Sequence, residues 1–250
     1  MQELIEKSLE RLRAFEPLEG YYLAFSGGKD SIVIYALAKM AGVKFDAHYN
    51  ITTVDPPELV HFIKNKYPEV ERIIPRLSMW QLMLEQKSPP TRLMRYCCTE
   101  LKEHGGTGRF VITGVRWAES VRRKLKRKMI ETWPAQKKQI INPIIDWSDE
   151  QVWRFIKDNN IEYCCLYDQG FDRLGCILCP MSGAKGAKRD IERWPKFAEA
   201  YKRIFAKIIE IRKAQGMKCS SDWETAEKMF AWWITRRKKE DKNQCYLSFE

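Results

Sequence analysis

YYLAFSGGKDSIVIYALAKMAG, residues 21–42, decides how the rest of the chain is read. YYLAF (21–25) is a short apolar run that stops at two glycines, as a buried strand does. Residues 29–41 then read as a helix. Between them, Gly27 and Gly28 let the backbone turn sharply and bring its N–H groups close to an anion. The following helix presents its positive N-terminal end at the same place. Ser26 and Ser31 offer hydroxyls and Lys29 a point charge, so the turn is built as a phosphate cradle. It is neither G-x-x-x-x-G-K-S/T nor G-x-G-x-x-G. A strand-to-helix turn with a purely structural role is the alternative.

Outward from this stretch, strands and helices alternate. An amphipathic helix over 2–14 precedes it. Strands follow at 43–50, 70–75 and 109–115. Pro56 and Pro57 suit the first turn of a helix running to about Lys66, and further helices lie near 78–86 and 96–104. This order predicts an α/β fold, a parallel sheet flanked by helices on both faces. Ligands bind such sheets at the carboxyl ends of the strands, so the loops after Phe25, Asn50 and Val115 should converge. After Pro143 the pattern changes. Ser148 and Gln151 form a capping box that opens a helix with Val152, Trp153, Phe155 and Ile156. A loop then carries Cys164 to Cys179, and helical patterns dominate from about 189 to 215. Ser221 and Glu224 form a second capping box, opening a helix through Trp232, Trp233 and Ile234. The expected division is an α/β nucleotide-binding domain over 1–145 and a cysteine-bearing, mainly helical part over 146–250. No internal repeat or low-complexity segment interrupts it.

The chain has 250 residues, 44% hydrophobic and 31% charged, which supports a sizeable core and excludes wholesale disorder. No apolar run approaches the roughly 18 residues of a membrane span. The opening MQELIEKSLERLRAF lacks the apolar stretch of a signal peptide, and a cytoplasmic location is expected. The net charge of +11 favours an anionic partner such as nucleic acid or phosphate-bearing nucleotides, unless it reflects only a soluble basic surface, and no membrane partner is expected. RRKLKRK (122–128) carries six basic residues in seven. It should lie near the carboxyl end of the fourth strand and either hold a polyanion there or form a solvated run.

Six of the eight cysteines stand in pairs: Cys97 with Cys98, Cys164 with Cys165, and Cys176 with Cys179. C-x-x-C alone fits a redox dithiol, half a metal site or packing. Taken with Cys97 and Cys98, it offers four thiolates, which suit zinc or a [4Fe-4S] cluster. Adjacent side chains diverge by about 100° on a helix, which suits two irons of a cube better than one tetrahedral zinc. Apolar packing of buried thiols is the remaining alternative.

SGGKDS (26–31), RYCCTELK (95–102), TGVRWAES (113–120), PIIDWSDEQVW (143–153) and YCCLYDQGFDRLGCILCP (163–180) together resemble the phosphoadenosine phosphosulfate (PAPS) reductase family of the PP-loop ATP pyrophosphatase superfamily. The resemblance implies an adenine nucleotide α-hydrolase-like fold with a five-stranded parallel sheet, its fifth strand supplied by QIINPI (139–144). It implies phosphate-binding roles for Ser26, Gly27, Gly28, Lys29, Asp30 and Ser31, with ATP and Mg²⁺ as bound species. Cys97, Cys98, Cys176 and Cys179 match the layout that binds a [4Fe-4S] cluster in adenylyl-sulfate (APS) reductases, with zinc as the alternative metal. Arg116 and Glu119 fall at family-like positions, Arg116 placed to fork onto a phosphate or sulfate, or else to form a surface salt bridge.

Two departures bear on the reaction. Sulfonucleotide reductases carry a nucleophilic cysteine in an E-C-G-I/L-H setting; neither Cys245 in NQCYLSFE nor Cys219 in MKCSSD matches it. Reductases also tend to have an eroded PP-loop, whereas Lys29 and Asp30 are both present here. The expectation is therefore an enzyme that adenylylates a substrate and couples this to sulfur transfer, with tRNA or DNA as the leading acceptor. A cysteine desulfurase is a suitable sulfur donor, and Lys29, Asp30 and Arg116 are the expected catalytic residues. The alternatives are an APS/PAPS reductase and a nucleotide-binding module with a structural metal site. Asp55 either contacts the nucleotide or caps a helix. Cys164 and Cys165 offer a sulfur-carrying thiol or plain burial, and Trp223, Trp232 and Trp233 read as core. His48, His61 and His104 give no catalytic pattern.

Overall fold

In the computed structural model the described residues are 1–235. Helix α1 (Gln2–Ala14) buries Ile5, Leu9 and Leu12, one face of its 3.6-residue repeat. It is pinned by Arg11, whose guanidinium forks onto Asp146 at 2.8 Å, and by the Ser8 hydroxyl, which donates to the Pro143 carbonyl. Strand β1 (Tyr21–Ala24) leads into helix α2 (Lys29–Ala41), which is buried on nearly every side through Ile32, Val33, Ile34, Tyr35, Leu37 and Ala38. Gly42, at φ 72°, ends it in the left-handed conformation. Strand β2 (Phe45–Asn50), helix α3 (Pro57–Lys66) and strand β3 (Glu71–Ile73) complete one half of a sheet.

Helices α4 (Met79–Gln86) and α5 (Tyr96–Cys98) come next, the latter continuing as a π-turn over Thr99–Glu103. Strand β4 (Phe110–Ile112) is followed by helix α6 (Val121–Lys126), strand β5 (Ile130–Trp133), strand β6 (Lys138–Ile141) and helix α7 (Asp149–Asp158). The sheet order is β3-β2-β1-β4-β6-β5. All pairings are parallel except β5 against β6. The expected fifth strand is thus β6, and it stands beside β4. Strand β5 is a sixth, antiparallel edge strand that the five-strand expectation omitted. It turns into β6 through Lys137, which adopts φ 49°.

Two compact units divide the chain differently from 1–145 and 146–250. The first joins Met1–Ser78 to Cys97–Cys176; the second joins Met79–Tyr96 to the segment from Ile177 onward. The sheet, α7 and the Cys164–Cys176 loop thus belong to one unit. The second contains α4, α8 (Gly183–Arg193), α9 (Pro195–Ala214) and α10 (Ala226–Thr235). Its core is aromatic: the Trp233 ring lies 4.8 Å from Tyr201 and 5.3 Å from Phe205, and its indole N–H donates to the Pro90 carbonyl. Trp233 is therefore core, as expected, whereas Trp223 and Trp232 pair half-buried at 5.5 Å. The second capping box is displaced. Ser220 caps a single turn over Ser221–Trp223, and the Thr225 hydroxyl accepts from the Lys228 N–H at the start of α10. Among the described residues no helix is long and apolar enough to cross a membrane.

Candidate functional site

The strand order reverses between β1 and β4, the position where open α/β sheets bind ligands. The loops leaving these two strands approach each other closely. A Cβ on Gly114 would stand 3.0 Å from the Asp30 Cβ and 3.1 Å from its backbone, so glycine at this position lets the β4 loop close tightly on the start of α2. Gly27 is fixed twice over. Its φ is +69°, and a Cβ there would reach 2.7 Å from Ile63 of α3. Gly28 is the N-cap of α2, and the Ser31 hydroxyl donates back to its carbonyl at 2.8 Å. The Ser26 and Ser31 hydroxyls lie 3.2 Å apart. The six residues of the expected phosphate cradle therefore form one turn at the mouth of α2.

Four charged side chains close over that turn. Lys29 is buried, 7% exposed, with its ammonium 3.6 Å from Asp30 and 3.4 Å from Asp149. Arg116 is 0% exposed. Its Nε donates to Asp30 at 2.7 Å, its Nη2 to Asp149 at 2.7 Å and its Nη1 to the Trp147 carbonyl at 3.1 Å. Arg116 is thus not the surface ion pair of the bland expectation, and its fork is filled by carboxylates. Burial opposes its charge, but Asp30 and Asp149 outweigh that and push its pKa up. Burial likewise favours the neutral form of Asp149, yet the Arg116 hydrogen bond and charge hold that carboxyl below its ordinary range. Two cations and two anions compensate one another in a partly desolvated cluster. Asp149 was not among the expected site residues; its place inside the Ser148–Gln151 capping box signals a helix start, not a partner for Arg116.

The loop that carries the second cysteine pair covers the cradle. The Lys29 backbone N–H, an unpaired donor of the first helical turn, donates to the Tyr167 hydroxyl at 2.8 Å. The Lys29 ammonium lies 3.5 Å from the Asp172 carbonyl. Tyr167 packs edge-on against Trp153 at 5.0 Å, and burial pushes its pKa up, so it stays a neutral hydroxyl. No sequence signal singled it out. Cys164 is fully buried and burial pushes its thiol up to about 11; Cys165 is exposed.

Asp55 is buried and its carboxylate accepts from the Thr52 N–H at 2.7 Å, closing the loop after β2 instead of capping α3. The Cys176 thiol lies 3.5 Å from the Thr52 hydroxyl. Cys97, Cys98 and Cys176 belong to the first unit and Cys179 to the second, all half-buried. Among the described residues no three His, Cys, Asp or Glu side chains form a metal-holding group. Cys219 is half-buried in the second unit, and Cys245 lies outside the described residues.

The sequence profile of the phosphoadenosine phosphosulfate reductase domain matches residues 20–182. An adenosine 5'-phosphosulfate reductase of Oceanobacillus iheyensis is 30% identical, over 68% of this chain and 75% of that protein. A probable FAD synthase of Schizosaccharomyces pombe is 28% identical, over 66% and 62%. An uncharacterized protein of Methanocaldococcus jannaschii is 28% identical over 86% of this chain but only 54% of its own length. A second protein of that organism is covered over 42%. The chain therefore spans about half the length of these archaeal relatives. In three dimensions, a phosphoadenylyl-sulfate reductase from Candida auris superimposes with a TM-score of 0.52 at 18% identity, covering 70% of this chain and 93% of that one.

Proposed function

Since the chain belongs to the phosphoadenosine phosphosulfate reductase domain family of the PP-loop superfamily, we propose that it transfers an adenylyl group from ATP and couples the transfer to sulfur insertion into nucleic acid. The observation that carries the first half is the intact cradle, with Lys29 and Asp30 both in place and held by Arg116 and Asp149 at the mouth of α2. The Gly28 and Lys29 backbone and the helix dipole suit the phosphates of ATP. The Lys29 ammonium stabilises charge that develops as pyrophosphate leaves. Arg116 and the two carboxylates fix where that ammonium stands.

An acceptor oxygen attacks the α-phosphorus, the α–β P–O bond breaks, pyrophosphate leaves and the acceptor's proton passes to water. The terminal sulfur of a persulfide on a sulfur-donor protein such as a cysteine desulfurase then attacks the activated atom and AMP departs; a thiol reductant supplies the two electrons that cleave the resulting S–S bond and free the donor's cysteine. Mg²⁺ bound with ATP would shield the pyrophosphate charge. The exposed Cys165 thiol, two residues before Tyr167 in sequence, is a position that takes the donor's sulfane sulfur as a persulfide by exchange, the donor's cysteine leaving as a thiol.

A [4Fe-4S] cluster on Cys97, Cys98, Cys176 and Cys179, or zinc in its place, is proposed on the spacing of these cysteines alone and takes no part in these steps. Metal, iron and sulfide analysis of anaerobically purified protein tests it.

The Oceanobacillus iheyensis match favours a second reading, reduction of a sulfonucleotide. One experiment separates the two. Pyrophosphate release from ATP that is abolished by Lys29→Ala and stimulated by RNA or DNA supports adenylyl transfer. Sulfite formation from APS with a thiol reductant, without pyrophosphate release from ATP, replaces it with the reductase.

A further inference from the structure

Helix α6 divides its basic residues into two sets. Arg123 faces inward and pairs with Glu119; Arg127, just past the helix, pairs with Glu131 at 2.8 Å and lies over the Trp133 ring. Arg122, Lys124, Lys126 and Lys128 are exposed and make no ion pair among the described residues. Leu125 and Val121 stand exposed among them. Spending two arginines on anchoring and leaving four cations unmatched is not the pattern of a solvated helix laced with its own salt bridges.

The anchor leads directly to the cradle. The Glu119 carboxylate that receives Arg123 also accepts the Arg116 N–H at 3.0 Å, and the Arg116 guanidinium holds Asp30. Arg173, exposed and without an ion pair among the described residues, lies on the same loop as Tyr167, and its charge also bears on Arg123. Positive charge thus continues from α6 to the loop over the phosphate site. Deepening the reading of a nucleic-acid acceptor, on which this inference rests, we propose that Arg122, Lys124, Lys126 and Lys128 form a docking strip for a nucleic-acid phosphate backbone. The strip holds the acceptor beside the cradle, with Arg173 between. Leu125 and Val121 supply apolar contact to sugars and bases.

The test measures binding without ATP, so that it stands apart from catalysis. Fluorescein-labelled single-stranded RNA and DNA of the same sequence are titrated with the protein by anisotropy between about 50 and about 200 mM salt. Each phosphate contact contributes about 0.7 to the log–log salt slope for a single strand, so R122Q/K124Q/K126Q/K128Q should lower the slope by about 3. A matched variant, K64Q/K157Q/K196Q/K207Q, removes the same charge from exposed sites elsewhere and should lower it by less than about 1. The RNA and DNA arms identify which backbone is preferred. Equal losses in the two variants would overturn the strip in favour of bulk charge. Absence of binding at low salt would overturn it too, as would binding of phosphatidylserine vesicles in place of either strand. None of these outcomes touches the ATP–pyrophosphate assay, which decides the adenylyl-transfer reading by itself. Circular dichroism confirms that the variants are folded.

Discussion

Replacing Arg116 with Met should cost stability and nucleotide affinity together, although the side chain is sealed from the site's mouth. Arg116 makes two charge-assisted hydrogen bonds to carboxylates and one to the Trp147 carbonyl. Methionine fills much of its volume but leaves Asp30 and Asp149 to share the Lys29 ammonium alone, and the Trp147 carbonyl loses the Arg116 donor. Breaking a buried ion pair from one side costs about 3–5 kcal/mol. Asp149 is more than half exposed and water recovers part of its share, so the lower end, about 3 kcal/mol, applies. For a chain of this size 1 kcal/mol moves the midpoint by about 2–4 °C, giving a fall of about 6–12 °C. Arg116→Lys keeps the charge but reaches one carboxylate only, and should recover about half.

The two carboxylates make the prediction specific. In the wild type Asp149→Asn should destabilise, because Arg116 loses an anion. In the Arg116→Met background the same change should be neutral or stabilising, because it removes one of two carboxylates left sharing the Lys29 ammonium. A double-mutant cycle by urea denaturation reads that coupling, and titration calorimetry with ATP reads the effect on the cradle. A melt of Arg116→Met within about 2 °C of wild type would refute the buried-clamp reasoning. If Arg116→Lys restored full stability but bound no nucleotide, Arg116 would be a direct ligand contact and not a positioning residue.

Tyr167→Phe frees the Lys29 N–H of its partner, so a nucleotide phosphate no longer competes with a hydroxyl. ATP should bind about fivefold tighter, and weaker binding would mean that the hydroxyl donates to the phosphate. Gly27→Ala meets both a left-handed φ and the Ile63 side chain, and should destabilise by about 2 kcal/mol or more in chemical denaturation. Burial favours the neutral form of Asp146, but Arg11 and Lys7 hold its pKa well below its ordinary 3.8. The stability it contributes is complete above about pH 4 and is lost as pH falls further. Arg11→Ala should therefore flatten the acid limb of a stability–pH profile, and an unchanged limb would remove that pair from the account. Cys164, with its thiol pushed up to about 11, should resist alkylation at pH 8 while Cys165 reacts, as peptide mass spectrometry would show.

What could be read before folding divides along the range of the interactions. The starts of α2 and α3 and the capping box of α7 are local events, decided by Gly28, Pro57 and Ser148 within a few residues, and each lies where its residues place it. Strand β5 is not local. Ile130–Trp133 follows a basic run and has little alternation of its own; it is a strand because β6 returns antiparallel beside it after the turn at Lys137. The site divides in the same way. The cradle is one contiguous turn, so its glycines and hydroxyls are recognisable in order. The cluster that holds it joins residues 30, 116 and 149, distant in sequence and brought together where the loops of β1 and β4 meet the first turn of α7. Arg116 stood out by its motif, but its partners did not, because Asp149 looks like any acidic residue in a first helical turn. Tyr167 is a stronger case, since a phenol 138 residues from Lys29 becomes an acceptor for a helix-terminal N–H only through tertiary structure. The cysteines follow the same rule. Each pair is visible in its own segment, while whether four thiolates meet is a property of the folded chain, and metal analysis reads it directly.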